Sequence, residues 1–262
     1  MRRAALAAIV FLATFVALAF LALPVFSIFL RVSPGRLAAQ LGNPVVKDAL
    51  LVSLKTTIVA QALILALGTP AAYVLASRRF RGRSLLVTLV ELPLVLPPAV
   101  AGIGLLAAFG RSGLLHTSIP FTQAAVVLAV AFVASPLYVR AAIAAFEGVD
   151  PNVVAASRTL GAGPFRTFVR VVLPLARGGL IAGAALAFAR GLGEFGATIM
   201  FAGSLRGVTE TLPLAVYSQF NVDFNVALAV SALLVLVSAA LLVTLKWLPS
   251  ASTSRFRFAT SS

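Results

Sequence analysis

Cysteine is absent from the 262-residue chain, so neither a disulfide framework nor a thiolate metal site is available. Histidine occurs once, at His116 in a polar stretch, and no H-E-x-x-H or other histidine cluster offers a metal set. No G-x-x-x-x-G-K-[ST] phosphate loop is present, since Gly161-Ala162-Gly163 lacks the lysine. The chain is therefore expected to bind no cofactor and to hydrolyse no ATP itself. A G-x-S-x-G nucleophile elbow is missing too. Charge is scarce: 11% of residues carry one, and 7 acidic residues stand against 21 basic ones. A soluble domain would carry about 25%.

What fills the chain instead is apolar. Hydrophobic residues make up 61%, and the mean hydropathy is +1.07. A membrane-crossing helix needs about 20 such residues. The length accommodates six spans with short loops and no separate soluble domain, an all-α polytopic membrane protein. The expected spans cover about 4–30, 49–77, 85–110, 121–146, 178–202 and 226–247. The first follows Arg2-Arg3 and exceeds the roughly 7–15 apolar residues of a signal peptide, so it reads as uncleaved. Residues 31–48, 111–121 and 203–225 read as outer loops, 147–177 as an inner loop. Ser135-Pro136 is expected to break the fourth span.

The formal net charge of +14 would suit nucleic acid, but the basic residues are scattered between apolar runs and read as topogenic signals. In this arrangement roughly 14 of them face one side and 5 the other, with Arg78, Arg79, Arg81 and Arg83 the densest cluster. The majority side is the cytoplasm by the positive-inside rule, which puts both termini inside.

Polar groups within the spans mark candidate sites. Ser53, Lys55, Thr56 and Thr57 open the second span; the hydroxyls either bond to preceding carbonyls or line a polar path. Pro93, Pro97 and Pro98 remove backbone donors from the third span, so that segment should face protein or a water-filled path rather than lipid. Glu91 near its inner end can reach water or a loop arginine. In the fifth span Arg190 and Glu194 lie four apart on one helical face and can neutralise each other. They form either a packing ion pair or a substrate contact. Gly191, Gly193 and Gly196 around them permit close approach or local unwinding.

The inner loop has its own pattern. Asp150 can cap a helix starting at Pro151, Val153, Ala156 and Leu160 recur at helical spacing, and Gly161, Gly163 and Pro164 end it. This describes a short helix, a glycine turn and a second helix returning to the membrane. Over residues 155–174 the loop resembles the E-A-A-x3-G-x9-I-x-L-P pattern of membrane subunits of ATP-binding-cassette importers. Ala155, Ala156 and Ser157 stand at its first three positions, followed by Gly161, Val171, Leu173 and Pro174 in register. The glutamate is replaced by Ala155 and the second alanine by Ser157. Glu91–Gly102, ELPLVLPPAVAG, and Gly193–Phe220, GEFGATIMFAGSLRGVTETLPLAVYSQF, resemble segments of molybdate importer membrane subunits, with sulfate and tungstate relatives close by.

The resemblance implies a type I importer permease fold and a homodimer with its pathway at the interface. It implies two cytoplasmic ATPase subunits carrying ATP-Mg and an external solute-binding protein. The seven loop residues would couple to the ATPase. Thr56, Thr57, Pro97, Pro98, Arg190 and Glu194 are the candidates for the path or gate. A sulfate permease, a stand-alone secondary transporter using Arg190 and Glu194 for ion coupling, and a membrane enzyme with Glu91 or Glu194 as acid/base are the alternatives.

Overall fold

A computed structural model describes residues 2–32 and 34–247, and no strand occurs among them. Helix α1 is Arg2–Arg31, with large apolar side chains such as Phe11, Phe20 and Leu30 exposed along it. Such a surface fits hydrocarbon rather than water. The expected outer loop 31–48 is instead largely helical. Helix α2 covers Pro34–Gln40, and α3 runs Pro44–Ser77. Asn43 caps α3, its Oδ1 accepting from the Val45 N–H at 3.0 Å.

The expected third span is two helices, α4 (Arg83–Val95) and α5 (Pro98–Phe109), bent by 116°. Each proline bars the residue before it from helical geometry. Leu96 and Pro97 accordingly take ψ of 134° and 132°. The expected fourth span is helix α6 (Gln123–Glu147), which corrects the expected break at Ser135-Pro136, for it is continuous. Pro136 deprives the Phe132 carbonyl of its donor, and the Ser135 hydroxyl donates to that oxygen at 3.4 Å.

The chain then forms α7 (Pro151–Thr159), α8 (Pro164–Thr167), a π-helical turn (Phe168–Val172) and α9 (Leu173–Leu192). The last three join into one apolar segment, Pro164–Leu192, so the fifth span starts well before residue 178 and stops well before 202. Residues Gly196–Ala202 form a separate helix, α10. The expected outer loop 203–225 contains α11 (Leu212–Gln219), whose Leu212, Leu214 and Ala215 are fully buried. The last helix among the described residues is α12 (Phe224–Trp247), capped by Asp223, which accepts from Asn225 N–H at 2.9 Å. Among the described residues four helical segments are long and apolar enough to cross a membrane, or five if the α4–α5 pair counts as one. Within α12, Phe224–Ala240 is a shorter apolar stretch.

Helices α3, α6 and α9 make the most extensive contacts, and α10 fits between α5 and α6. Small residues allow the approach of α9 to α6. A Cβ at Gly179 or Gly183 would come within 2.6 Å of Ala145 or Ala141. This small-xxx-small pairing lets backbones meet closely in apolar surroundings. A second, smaller core joins Val46 and Ala49 of α3 to Leu212, Ala215, Val226 and Val230.

Candidate functional site

Two regions gather the polar and irregular residues: the loop between α6 and α9, and a pair of helix breaks inside the bundle. In the loop, Asp150 Oδ1 accepts from the Asn152 N–H at 2.8 Å, with Pro151 at the first helical position. Gly161 takes φ +84°, and its N–H bonds to the Arg158 carbonyl at 3.0 Å. This left-handed conformation suits glycine and ends α7. Ser157 and the buried Thr167 bring their hydroxyls to 3.1 Å, tying α7 to the returning segment.

Pro174 lacks the N–H that would reach Arg170, and the preceding turn widens to a π-helix in which Leu173 N–H bonds to the Phe168 carbonyl. Phe168 stands 4.6 Å from Tyr73 of α3 and 6.1 Å from Phe146 of α6, ring centre to ring centre. These aromatics fasten the turn to the bundle. Ala155, Ala156, Gly161 and Pro174 are exposed, and Ser157, Val171 and Leu173 are half-buried.

In the bundle, α9 stops at Leu192 and the link Gly193-Glu194-Phe195 leads to α10. Arg190 Nη1 lies 2.7 Å from Glu194 Oε2. Glu194 is buried, and its other oxygen accepts from the Ala197 N–H at 2.7 Å. One carboxylate thus closes the end of α9 and supplies a charge-assisted cap to α10. The start of α10 rests on the start of α5: a Cβ at Gly196 would lie 2.6 Å from Pro98 Cβ, and one at Gly102 would lie 2.6 Å from the Ala197 carbonyl oxygen. The Pro97-Pro98 break and the Gly193–Phe195 break are therefore neighbours, although they lie about a hundred residues apart.

Thr57 is buried beside Gly191, next to Arg190. Thr56 is buried with its hydroxyl on the Val52 carbonyl at 2.7 Å. Ser53 accepts from the Leu212 N–H at 2.7 Å and so anchors α11 to α3. Sequence reasoning missed that tie, because a serine on a span carries no sign of a partner 159 positions away. Thr198 on α10 is buried with its hydroxyl unpartnered.

All seven carboxylates are engaged. Asp48 pairs with Arg206, Glu91 with Arg140, Glu147 with Arg83 and Glu194 with Arg190. Asp150 and Asp223 cap helices, and the buried Glu210 accepts from the Ser218 hydroxyl at 2.6 Å.

The architecture is that of type I ABC importer permeases. The permease of a methionine transporter solved in inward-facing conformations superposes with a TM-score of 0.63 at 21% identity, covering 78% of this chain and 94% of that one. An amino acid ABC transporter solved with histidines gives 0.58 at 19% identity, covering 82% and 98%. Residues 68–257 match the family described as binding-protein-dependent transport system inner membrane component, and the chain belongs to that family. It is 47% identical over 239 residues to the molybdenum transport system permease protein of Mycobacterium tuberculosis, covering 88% of this chain and 90% of that protein. It is 42% identical over 227 residues to a probable molybdenum ABC transporter permease of Haloferax volcanii, covering 84% and 83%. The corresponding Escherichia coli permease is 44% identical over 179 residues, 65% of this chain and 78% of that one.

Proposed function

We propose that the chain is the membrane-spanning subunit of an ATP-driven importer of tetrahedral oxyanions, with molybdate as its cargo and tungstate as a close substitute. The observation that carries this reading is the 47% identity over 88% of the chain to a molybdenum permease. The subunit works as a homodimer with the pathway at its interface and six spans per copy, both termini in the cytoplasm. Two cytoplasmic ATPase subunits hold the ATP-Mg, and an external binding protein delivers the anion.

Helix α7 and the turn at Gly161 dock on the ATPase. Val153 and Leu160 offer it apolar surface, being 43% and 88% exposed. From Pro164 to Leu192 the chain is one continuous helical rod of 29 residues. At about 1.5 Å per residue that is roughly 40 Å, the depth of a membrane. Displacement of the docked turn moves the far end of this rod. There Glu194 hands the motion to α10, and α10 hands it to α5 at Pro98. Arg190, Glu194, Pro97, Pro98 and Thr57 form this gate; Thr56 lends it only helix stability.

The test is reconstitution in proteoliposomes with the cognate ATPase and binding protein, followed by molybdate uptake. Uptake should need ATP and binding protein, and tungstate should compete better than sulfate. Uptake driven by a proton gradient without the ATPase, or preference for sulfate, would sink the reading.

A further inference from the structure

Helix α7 turns one face back toward the bundle. Pro151, Val154, Ala155 and Arg158 recur at one-turn spacing and line a cavity of about 670 Å³. Its other walls are the inner ends of α3 and α6, with Tyr73 and Phe146 on the apolar side and Arg79, Arg83 and Glu147 on the charged side. The docking residues Val153 and Leu160 are not among the lining residues, and of the seven coupling residues only Ala155 is, so the cavity and the ATPase surface use largely different faces of one short helix.

The charges of the cavity are unequal in use. Arg83 donates from Nε to the Leu75 carbonyl at 2.6 Å and pairs with Glu147. Arg79 and Arg158 have no ion-pair or hydrogen-bond partner among the described residues. Two uncompensated guanidinium groups therefore face a space with an apolar floor, where apolar spans end. Guanidinium presents a planar fork of donors that matches phosphate oxygens. Basic pockets between span ends on the inner side take anionic headgroups.

We propose that this cavity binds a phosphate group, that of an anionic phospholipid or a free phosphate, held by Arg79 and Arg158. An occupant would fill the space between α7 and the bundle and fix the angle of the docking helix. Lipid composition or phosphate level would then set how efficiently ATP hydrolysis is coupled. The site stands independently of the cargo.

The experiment uses the full-length chain purified in detergent and stripped of lipid. Phosphatidylglycerol, phosphatidylcholine and inorganic phosphate are titrated separately, and bound lipid is counted by native mass spectrometry. The wild-type chain should retain one phosphatidylglycerol per subunit in preference to phosphatidylcholine. Arg79→Gln and the cavity-filling Ala76→Phe should each weaken retention about tenfold. Arg81→Gln removes a charge of the same cluster that does not line the cavity, and it should leave retention unchanged. Displacement of the lipid by millimolar phosphate would identify free phosphate as an equal occupant; failure to displace it would identify the lipid. Equal losses in Arg79→Gln and Arg81→Gln would mean surface charge alone, and overturn the site. So would a finding that neither variant alters anion binding while Arg79→Gln releases a copurifying ATPase, since the arginines would then serve an acidic protein segment.

Discussion

At Glu194 one carboxylate performs two tasks, and substitutions separate them. Glutamine keeps an oxygen for the Ala197 N–H but ends the ion pair with Arg190; alanine ends both. Arg190 is 34% exposed, so it can turn toward water when its partner goes, which keeps the cost below that of a fully buried orphan charge. Glu194→Ala should lower unfolding free energy by about 1–3 kcal/mol and Glu194→Gln by less. Both should be read from thermal unfolding in detergent and from uptake. If the gate works as described, Glu194→Gln retains the fold yet loses uptake, while equal and full uptake in both variants would remove the clasp from the mechanism. The four-residue spacing was enough to pair Arg190 with Glu194 from sequence, because neighbours on a helix face are a local property. The capping role was not legible, since it depends on α9 ending at Gly193, and glycine-rich apolar sequence is equally compatible with a continuing span.

Among the elements, the two decisive ones are short and irregular. Gly161 stands in open space, with nothing within 4 Å of a built Cβ, so a side chain there meets no clash and only the backbone objects. Gly161→Val should cost about 1–3 kcal/mol through its positive φ, whereas Gly161→Asn should be tolerated. Membrane insertion should persist in both, with ATP-driven uptake falling only in the valine variant; normal uptake there would detach the turn from coupling. The contact between α5 and α10 permits a paired comparison. Gly102→Ala drives a methyl into the Ala197 carbonyl, but Gly104→Ala meets nothing within 4 Å. Uptake should drop at least several-fold in the first and stay near wild type in the second, and similar values would mean the two breaks do not move as one. The loop was legible because its capping aspartate, prolines and glycine turn are local signals. The opposition of the two breaks was not, being a tertiary contact between distant segments. The Pro97-Pro98 pair announced an interruption without its 116° angle. Pro136 announced one that Ser135 repaired.

For the molecule as a whole, topology and selectivity are the remaining properties with sharp tests. The chain's lack of cysteine gives a clean background for labelling. Gly82 and Gly207 have positive φ, so cysteines belong beside them rather than at them. Ser112→Cys and Val208→Cys should label from outside the cell, and Arg81→Cys should not; outside labelling at Arg81 would invert the orientation. Selectivity is predicted from how little uncompensated charge the proposed gate residues carry. Arg190 is neutralised by Glu194, and every other carboxylate is held by a cap, a hydroxyl or an arginine. A tight cage for a dianion would need several convergent donors, and conduction in any case favours weak sites that release what they bind. The external binding protein should therefore choose the cargo. A hybrid with a docking-compatible sulfate-binding protein should show ATP-dependent sulfate uptake through this chain, at a rate within about tenfold of molybdate with its own binding protein. ATP hydrolysis accompanied by uptake of molybdate or tungstate alone would place selectivity in the spans. The unpartnered hydroxyl of Thr198, buried on α10 two residues after Gly196, would then be the first group to change, by Thr198→Val.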